Sequence, residues 1–303
     1  MSLWFQYCVP HRPFNRLAGY LASHQWPYLK NQLIDYFIKR HPVNMSEAQE
    51  PDPFAYPSFN AFFTRALKSE VRPMDADISA WVSPADGAIS AFGQIAQDQL
   101  LQAKGHSYSL KALLGVEEDN AGHAKEKADN ATEIEGISND FHHWEQFQNG
   151  DFITVYLAPH DYHRVHMPMA GILKRMTYVP GCLFSVNTKT AARIPNLFAR
   201  NERLIAEFQT DQGPLLLILV GAMIVGNIET VWSGTVLPHR HGDIRRITYN
   251  NPHFFQKGEE MGRFLLGSTV IAIMPPNCVR WRDGLEEGQS VKMAETLGTL
   301  VSD

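Results

Sequence analysis

The chain changes its hydrophobic rhythm once, decisively, a quarter of the way along. Before that point apolar residues recur at helical spacing: Leu17, Tyr20 and Leu21, then Leu29, Leu33 and Phe37 with Ile34 and Ile38 beside them. This i, i+4 stripe predicts amphipathic helices over residues 1 to about 45, interrupted at Pro10 and Pro13. Trp4, Phe5, Tyr7, Trp26 and Tyr28 share that segment with Lys30, Lys39, Arg40 and His41. Such a mixture suits the headgroup layer of a bilayer and suits packing on the chain's own domain equally well. Residues 46–75 read as a linker stiffened by Pro51, Pro53 and Pro57, then a helix from Phe59 to Leu67. Ser58 is its natural N-cap, and Phe59, Phe62 and Phe63 share one face.

From Trp81 onward short strands and turns take over. Trp81–Ser83, Ala88–Phe92, Phe152–Leu157, Gly171–Val179, Leu215–Val220, Thr230–Leu237 and Ser268–Met274 are strand-like. Asp86-Gly87 and Pro180-Gly181 signal turns. The longest apolar run, Pro214 to Val225, is too short to span a bilayer and reads as a buried strand. Residues 116–147 are acidic and poor in aliphatics, the pattern of a solvated excursion; His123, His142 and His143 fall in it, most simply as surface residues. The expected class is α+β: N-terminal amphipathic helices, then a β-rich antiparallel core. No G-x-G-x-x-G or P-loop follows a strand, which argues against a nucleotide-binding fold.

Composition narrows the function. With 44% apolar and 19% charged residues over 303 positions, the chain has an ordinary globular make-up and ample core. A net charge of -5 argues against nucleic acid as a partner. Cys8, Cys182 and Cys278 are odd in number and far apart, which excludes a disulfide framework and suits a reducing compartment. Thirteen histidines fall into no zinc-ligand spacing, so no metal is expected. No secretory signal is visible.

Three separated segments carry candidate chemistry. Ser83-Pro84-Ala85-Asp86-Gly87 offers a carboxylate on a turn. His160-Asp161-Tyr162-His163-Arg164-Val165-His166 offers clustered imidazoles. Leu265-Leu266-Gly267-Ser268-Thr269-Val270 offers a hydroxyl between apolar runs. Acid, base and hydroxyl are the parts of a device that activates a nucleophile. Taken singly, each has an ordinary alternative: a turn, a polar pair beside a strand, a loop.

Together with Phe59-Asn60-Ala61-Phe62-Phe63-Thr64-Arg65, Leu101–Leu110 and Pro195–Arg203, the stretches Pro84–Gly87, Asp161–Pro168 and Gly262–Val270 form six blocks in one order. In that order the chain resembles the bacterial, pyruvoyl-dependent phosphatidylserine decarboxylases over nearly its whole length. The resemblance implies a duplicated-hybrid-motif-like β core and a proenzyme that breaks its own backbone between Gly267 and Ser268. Residues 1–267 would be the β chain and 268–303 the α chain, paired as a heterodimer or a dimer of such pairs. Ser268 would become a covalent pyruvoyl group. It implies His166 as the base for cleavage, Asp86 as the group orienting its imidazole, and His163 as proton donor in the later reaction. That reaction would take phosphatidylserine in the membrane to phosphatidylethanolamine and CO2 through a Schiff base.

An interfacial substrate favours residues 1–45 as a peripheral anchor on the cytoplasmic face of the cell membrane, with 46–303 as the catalytic domain. The acidic stretch is longer than the resemblance leads one to expect. Two rival readings remain. One is a serine hydrolase using Asp86, His166 and Ser268 without cleavage, although the chain lacks a G-x-S-x-G elbow. The other is a non-enzymatic lipid-surface module.

Overall fold

In a computed structural model, which describes residues 11–103, 106–116, 143–222, 227–236, 244–265 and 268–301, the strand pattern assembles into an eight-stranded antiparallel sheet. Its order across the sheet is Arg245–Phe255, Gly171–Val179, Arg203–Thr210, Gly213–Val220, Ser268–Met274, Asp151–Leu157, Gly87–Gln94 and Ser290–Val291. The strand that opens at Ser268 is therefore internal. It bonds to Gly213–Val220 on one side and to Asp151–Leu157 on the other, with Ser268 opposite Leu157.

Alternation along these strands sorts the side chains into two cores. Leu215, Leu217, Leu219, Val270, Ala272 and Met274 join Ile153 and Val155 on one face. Leu216, Ile218, Val220, Ile271 and Ile273 join Phe152 on the other. A sheet covered on both faces needs apolar residues at successive positions, which is why Leu215–Val220 runs without a polar break. Each such side chain, fully buried, contributes about 1.5–3 kcal/mol.

A four-stranded sheet of Gly234–Val236, Ile228–Thr230, Glu260–Phe264 and Arg164–His166 carries His166. A three-stranded sheet joins Ala80–Val82, Thr296–Leu300 and Val279–Trp281. Of the strand expected over Thr230–Leu237, Leu237 lies outside the described residues and the rest belongs to the hairpin Ile228–Val236: Thr230 Oγ1 accepts from the Ser233 N–H at 3.1 Å, and Gly234 takes a left-handed φ of 66°. Residues 117–142 of the acidic stretch, with His123 and His142, lie outside the described residues. Trp144–Phe147 at its end forms a 3-10 turn that buries Phe147.

Short helices precede the sheets, as the sequence leads one to expect of an α+β chain: His11–Ser23, Pro27–Arg40 and Phe59–Phe63. Pro27 opens its helix, where its missing N–H costs nothing. Ser58 caps the third helix by accepting from the Ala61 N–H at 3.1 Å. That helix stops at Phe63 rather than Leu67: Thr64 leaves helical geometry at φ −94° and ψ 25°, and the Arg65 N–H turns to the Phe62 carbonyl at 3.2 Å.

The Phe37 ring sits 5.2, 6.1 and 5.7 Å from Phe59, Phe62 and Phe63, and Ile34 is buried beside them. One face of the helix Pro27–Arg40 thus packs on the domain. Tyr20, Trp26, Tyr28 and Tyr36 stay 58–70% exposed, while Trp4, Phe5 and Tyr7 lie outside the described residues. Two of the expected basic groups are engaged: Lys30 turns inward to the Phe54 carbonyl at 2.7 Å, and Lys39 pairs with Asp35 at 2.6 Å. Among the described residues no helix is long and apolar enough to cross a membrane.

Candidate active site

Asp86 lies on the link between Ala80–Val82 and Gly87–Gln94. The Asp-Gly step is no tight turn; Gly87 begins the strand. A Cβ there would stand 2.3 Å from the Tyr156 carbonyl oxygen, so glycine is required by close approach to the strand Asp151–Leu157. The Asp86 carboxylate is 1% exposed. Its Oδ1 accepts from Arg72 Nε at 3.0 Å and the Met293 N–H at 2.8 Å. Its Oδ2 accepts from Arg72 Nη2 at 2.5 Å and Lys292 Nζ at 3.3 Å. Arg72 Nη2 also reaches Glu47 at 2.6 Å. Burial pulls the Arg72 guanidinium down, but its bonds to Asp86 and Glu47 outweigh burial and push it above its usual range.

Both candidate imidazoles are buried and held in one tautomer. His166 ends the strand Arg164–His166; its Nδ1 lies 2.8 Å from the Gly258 carbonyl and its Nε2 3.0 Å from the Tyr162 hydroxyl. A carbonyl only accepts, so Nδ1 carries the proton and the Tyr162 O–H donates to Nε2. Gly258 presents that carbonyl from a φ of 81°. Burial lowers the pKa of His166, against the opposing pull of its bond to Gly258.

His163 is wholly buried, its ring 4.0 Å from that of Phe63. Its Nδ1–H donates to the Asp161 carbonyl at 2.9 Å, which leaves the lone pair on Nε2. That nitrogen has no hydrogen-bond partner among the described residues. Burial drives its pKa down to about 3, so the ring is neutral near pH 7.

Asp86 does not orient His166, contrary to the expectation. Its oxygens are taken by Arg72, Lys292 and the Met293 N–H, since two cations and an amide outcompete a neutral imidazole for a carboxylate. The Gly258 carbonyl does the orienting. Asp86 and His166 are still neighbours through the backbone: the His166 N–H donates to the Pro84 carbonyl at 2.8 Å. Ser268 begins the central strand opposite Leu157, and the loop leaving Leu157 leads directly to His163. Gly267 lies outside the described residues.

Sequence reasoning passed over Arg72, Lys292, Tyr162 and Gly258. Only Tyr162 carried a local signal, four residues before His166. Lys292 is 206 positions from Asp86.

Neutral imidazoles in fixed tautomers, one with a free buried lone pair on the loop that follows Leu157, can serve general acid–base catalysis. Such groups are those that an enzyme uses, and a passive surface module has no need of them. A family model described as phosphatidylserine decarboxylase matches residues 59–299, and a second, described as PSD, matches residues 1–41. A phosphatidylserine decarboxylase proenzyme of Marinobacter nauticus is 49% identical over 298 residues, covering 97% of this chain and 96% of that protein. The protein of the same description from Klebsiella pneumoniae is 48% identical over 306 residues, 99% of this chain and 88% of the other. That of Bordetella avium is 47% identical over 294 residues, 96% and 92%. The chain belongs to the phosphatidylserine decarboxylase family.

Proposed function

We propose that the chain is a proenzyme that cuts itself between Gly267 and Ser268 and then converts phosphatidylserine to phosphatidylethanolamine and CO2. The observation that carries this reading is the uncommitted Nε2 of His163, on the loop that leaves the backbone partner of Ser268. In cleavage the Ser268 oxygen adds to the Gly267 carbonyl and the C–N bond breaks, giving an ester. His166 Nε2 takes the hydroxyl proton, and the Tyr162 oxygen turns from donor to acceptor as it arrives. Elimination across Cα–Cβ of residue 268 frees the Gly267 carboxylate and leaves a dehydroalanine, which takes up water and loses ammonia. Asp86 acts here by holding the Pro84–Gly87 segment to which His166 is bonded.

A covalent pyruvoyl group at Ser268 would need a base to exchange protons with an amine, and a free buried one is carried on the loop that follows Leu157, the backbone partner of Ser268. The chemistry such a carbonyl supplies is an electron sink for the carbon that loses CO2. His163 Nε2 is the position from which a proton returns to carbon once CO2 has gone.

After cleavage the chains 1–267 and 268–303 stay paired as a heterodimer. Ser268–Met274 is bonded between two strands of the larger chain, and Thr296–Leu300 bonds to Ala80–Val82. Residues 1–45 form a peripheral anchor on the cytoplasmic face of the membrane, supported by the exposed Trp26, Tyr28 and Tyr36, and 46–303 form the catalytic domain. The test is CO2 release from carboxyl-labelled phosphatidylserine. The wild-type chain should release label and Ser268→Ala should not; equal release from both would overturn the reading. An intact chain that instead reacts with a fluorophosphonate would be a hydrolase.

A further inference from the structure

Arg203 and Arg65, both buried among the described residues, are treated differently. Arg203, 2% exposed, is saturated: Nε, Nη1 and Nη2 donate to the carbonyls of Leu113, Ala199, Asn201 and Ala112 at 2.6–2.8 Å. Arg65, 3% exposed, has one bond, from Nη2 to the His160 carbonyl at 3.1 Å. Its Nε and Nη1 are buried with no partner among the described residues. Nearby carboxylates are committed elsewhere. Asp86 serves Arg72 and Lys292, Glu47 serves Arg72, and Asp161 accepts from the Ala158 N–H at 2.7 Å. Native proteins rarely leave a buried guanidinium half satisfied, because desolvating its donors without acceptors is costly.

The position of Arg65 says what is missing. It follows the helix Phe59–Phe63, whose rings pack on Phe37 of the N-terminal helices, and it bonds to the loop that carries His163. It thus lies between the segment assigned to the membrane surface and the site assigned to the head-group amine. In a phospholipid the phosphodiester lies between acyl chains and head group, and the guanidinium fork matches phosphate oxygens in pairs.

We propose that Arg65 receives the phosphodiester of the lipid substrate, an inference that rests on the decarboxylase reading above. The substrate carboxylate is the weaker candidate. It must shed its charge as CO2 departs, and a guanidinium clamped on it would stabilise the ground state against that loss. The phosphodiester keeps its charge throughout, so binding it lowers KM and leaves kcat nearly alone.

The test compares Arg65→Lys and Arg65→Gln with wild type on phosphatidylserine in mixed micelles, after a gel confirms self-cleavage. Expected are a KM raised about tenfold or more with kcat changed less than about threefold, and inhibition by phosphatidylethanolamine weakened in parallel. An unchanged KM, or a loss confined to kcat, overturns the proposal. If the variants do not fold, the Arg65 Nε–H resonance of processed wild-type protein is followed as glycerophosphoethanolamine is added. A saturable shift that ethanolamine does not produce supports the proposal, and no shift overturns it. A wild-type chain that neither cleaves nor releases CO2 would defeat the decarboxylase reading itself. Active wild type with an unmoved variant KM would defeat the role of Arg65 alone.

Discussion

Replacing Asp86 by Asn separates a carboxylate that anchors the fold from one that orients an imidazole. The amide keeps the side-chain shape. Its oxygen can still accept from the Met293 N–H and Arg72 Nε, at the 2.8 and 3.0 Å now seen. Its NH2 then faces Arg72 Nη2 and Lys292 Nζ, so donor meets donor where Oδ2 now accepts at 2.5 and 3.3 Å. Removing one partner of a buried ion pair costs about 3–5 kcal/mol. Arg72 keeps Glu47 at 2.6 Å, which places the loss near the lower end, about 3 kcal/mol. An unfolding entropy of about 2.1 cal/mol/K per residue over 303 residues makes that a fall in Tm of about 5 °C. The assay is calorimetric melting of Asp86→Asn against Asp86, both in a Ser268→Ala background that keeps one chain. A shift below about 1 °C would refute the anchoring argument and return Asp86 to the role of orienting His166.

Acid should weaken the fold through its neutral histidines. The folded pKa of His163, about 3, lies below the ordinary 6.5, and that of His166 is also lowered. The unfolded chain therefore binds more protons as pH falls below about 6.5, and each histidine removes about 1.4 kcal/mol per pH unit until its native pKa is reached. The urea midpoint should fall over that window, and His163→Gln should flatten the fall; identical slopes would contradict it. At the membrane, Trp26→Ser with Tyr28→Ser and Tyr36→Ser should cut co-flotation with anionic vesicles about tenfold without moving Tm. Undiminished flotation would place the anchor elsewhere. Deleting the segment is a poorer test, because Phe37 packs on Phe59, Phe62 and Phe63.

How far the sequence could be read follows from where each signal lives. Gly171–Val179 and Ser268–Met274 match their expected bounds because local pattern alone determines them. Arg203–Thr210 was missed because Arg203, Glu207 and Gln209 dilute its apolar run, and Arg203 is tolerated because the carbonyls of Ala112, Leu113, Ala199 and Asn201 accept from it. Arg245–Phe255 was missed because it is an edge strand, rich in polar residues and interrupted in register between Thr248 and His253, where Pro252 is admissible. Asp86, His163 and His166 were legible as motif members. The partners that give them their states, Arg72, Lys292 and the Gly258 carbonyl, are assembled by tertiary structure and leave no local pattern.

The central claim is a backbone break that turns Ser268 into a ketone, and the intact mass of the purified chain tests it most directly. Two polypeptides are expected, residues 1–267 and residues 268–303, the second lighter by one ammonia than the same peptide with an N-terminal serine. A single mass for the unbroken chain in material that releases CO2 would contradict the account.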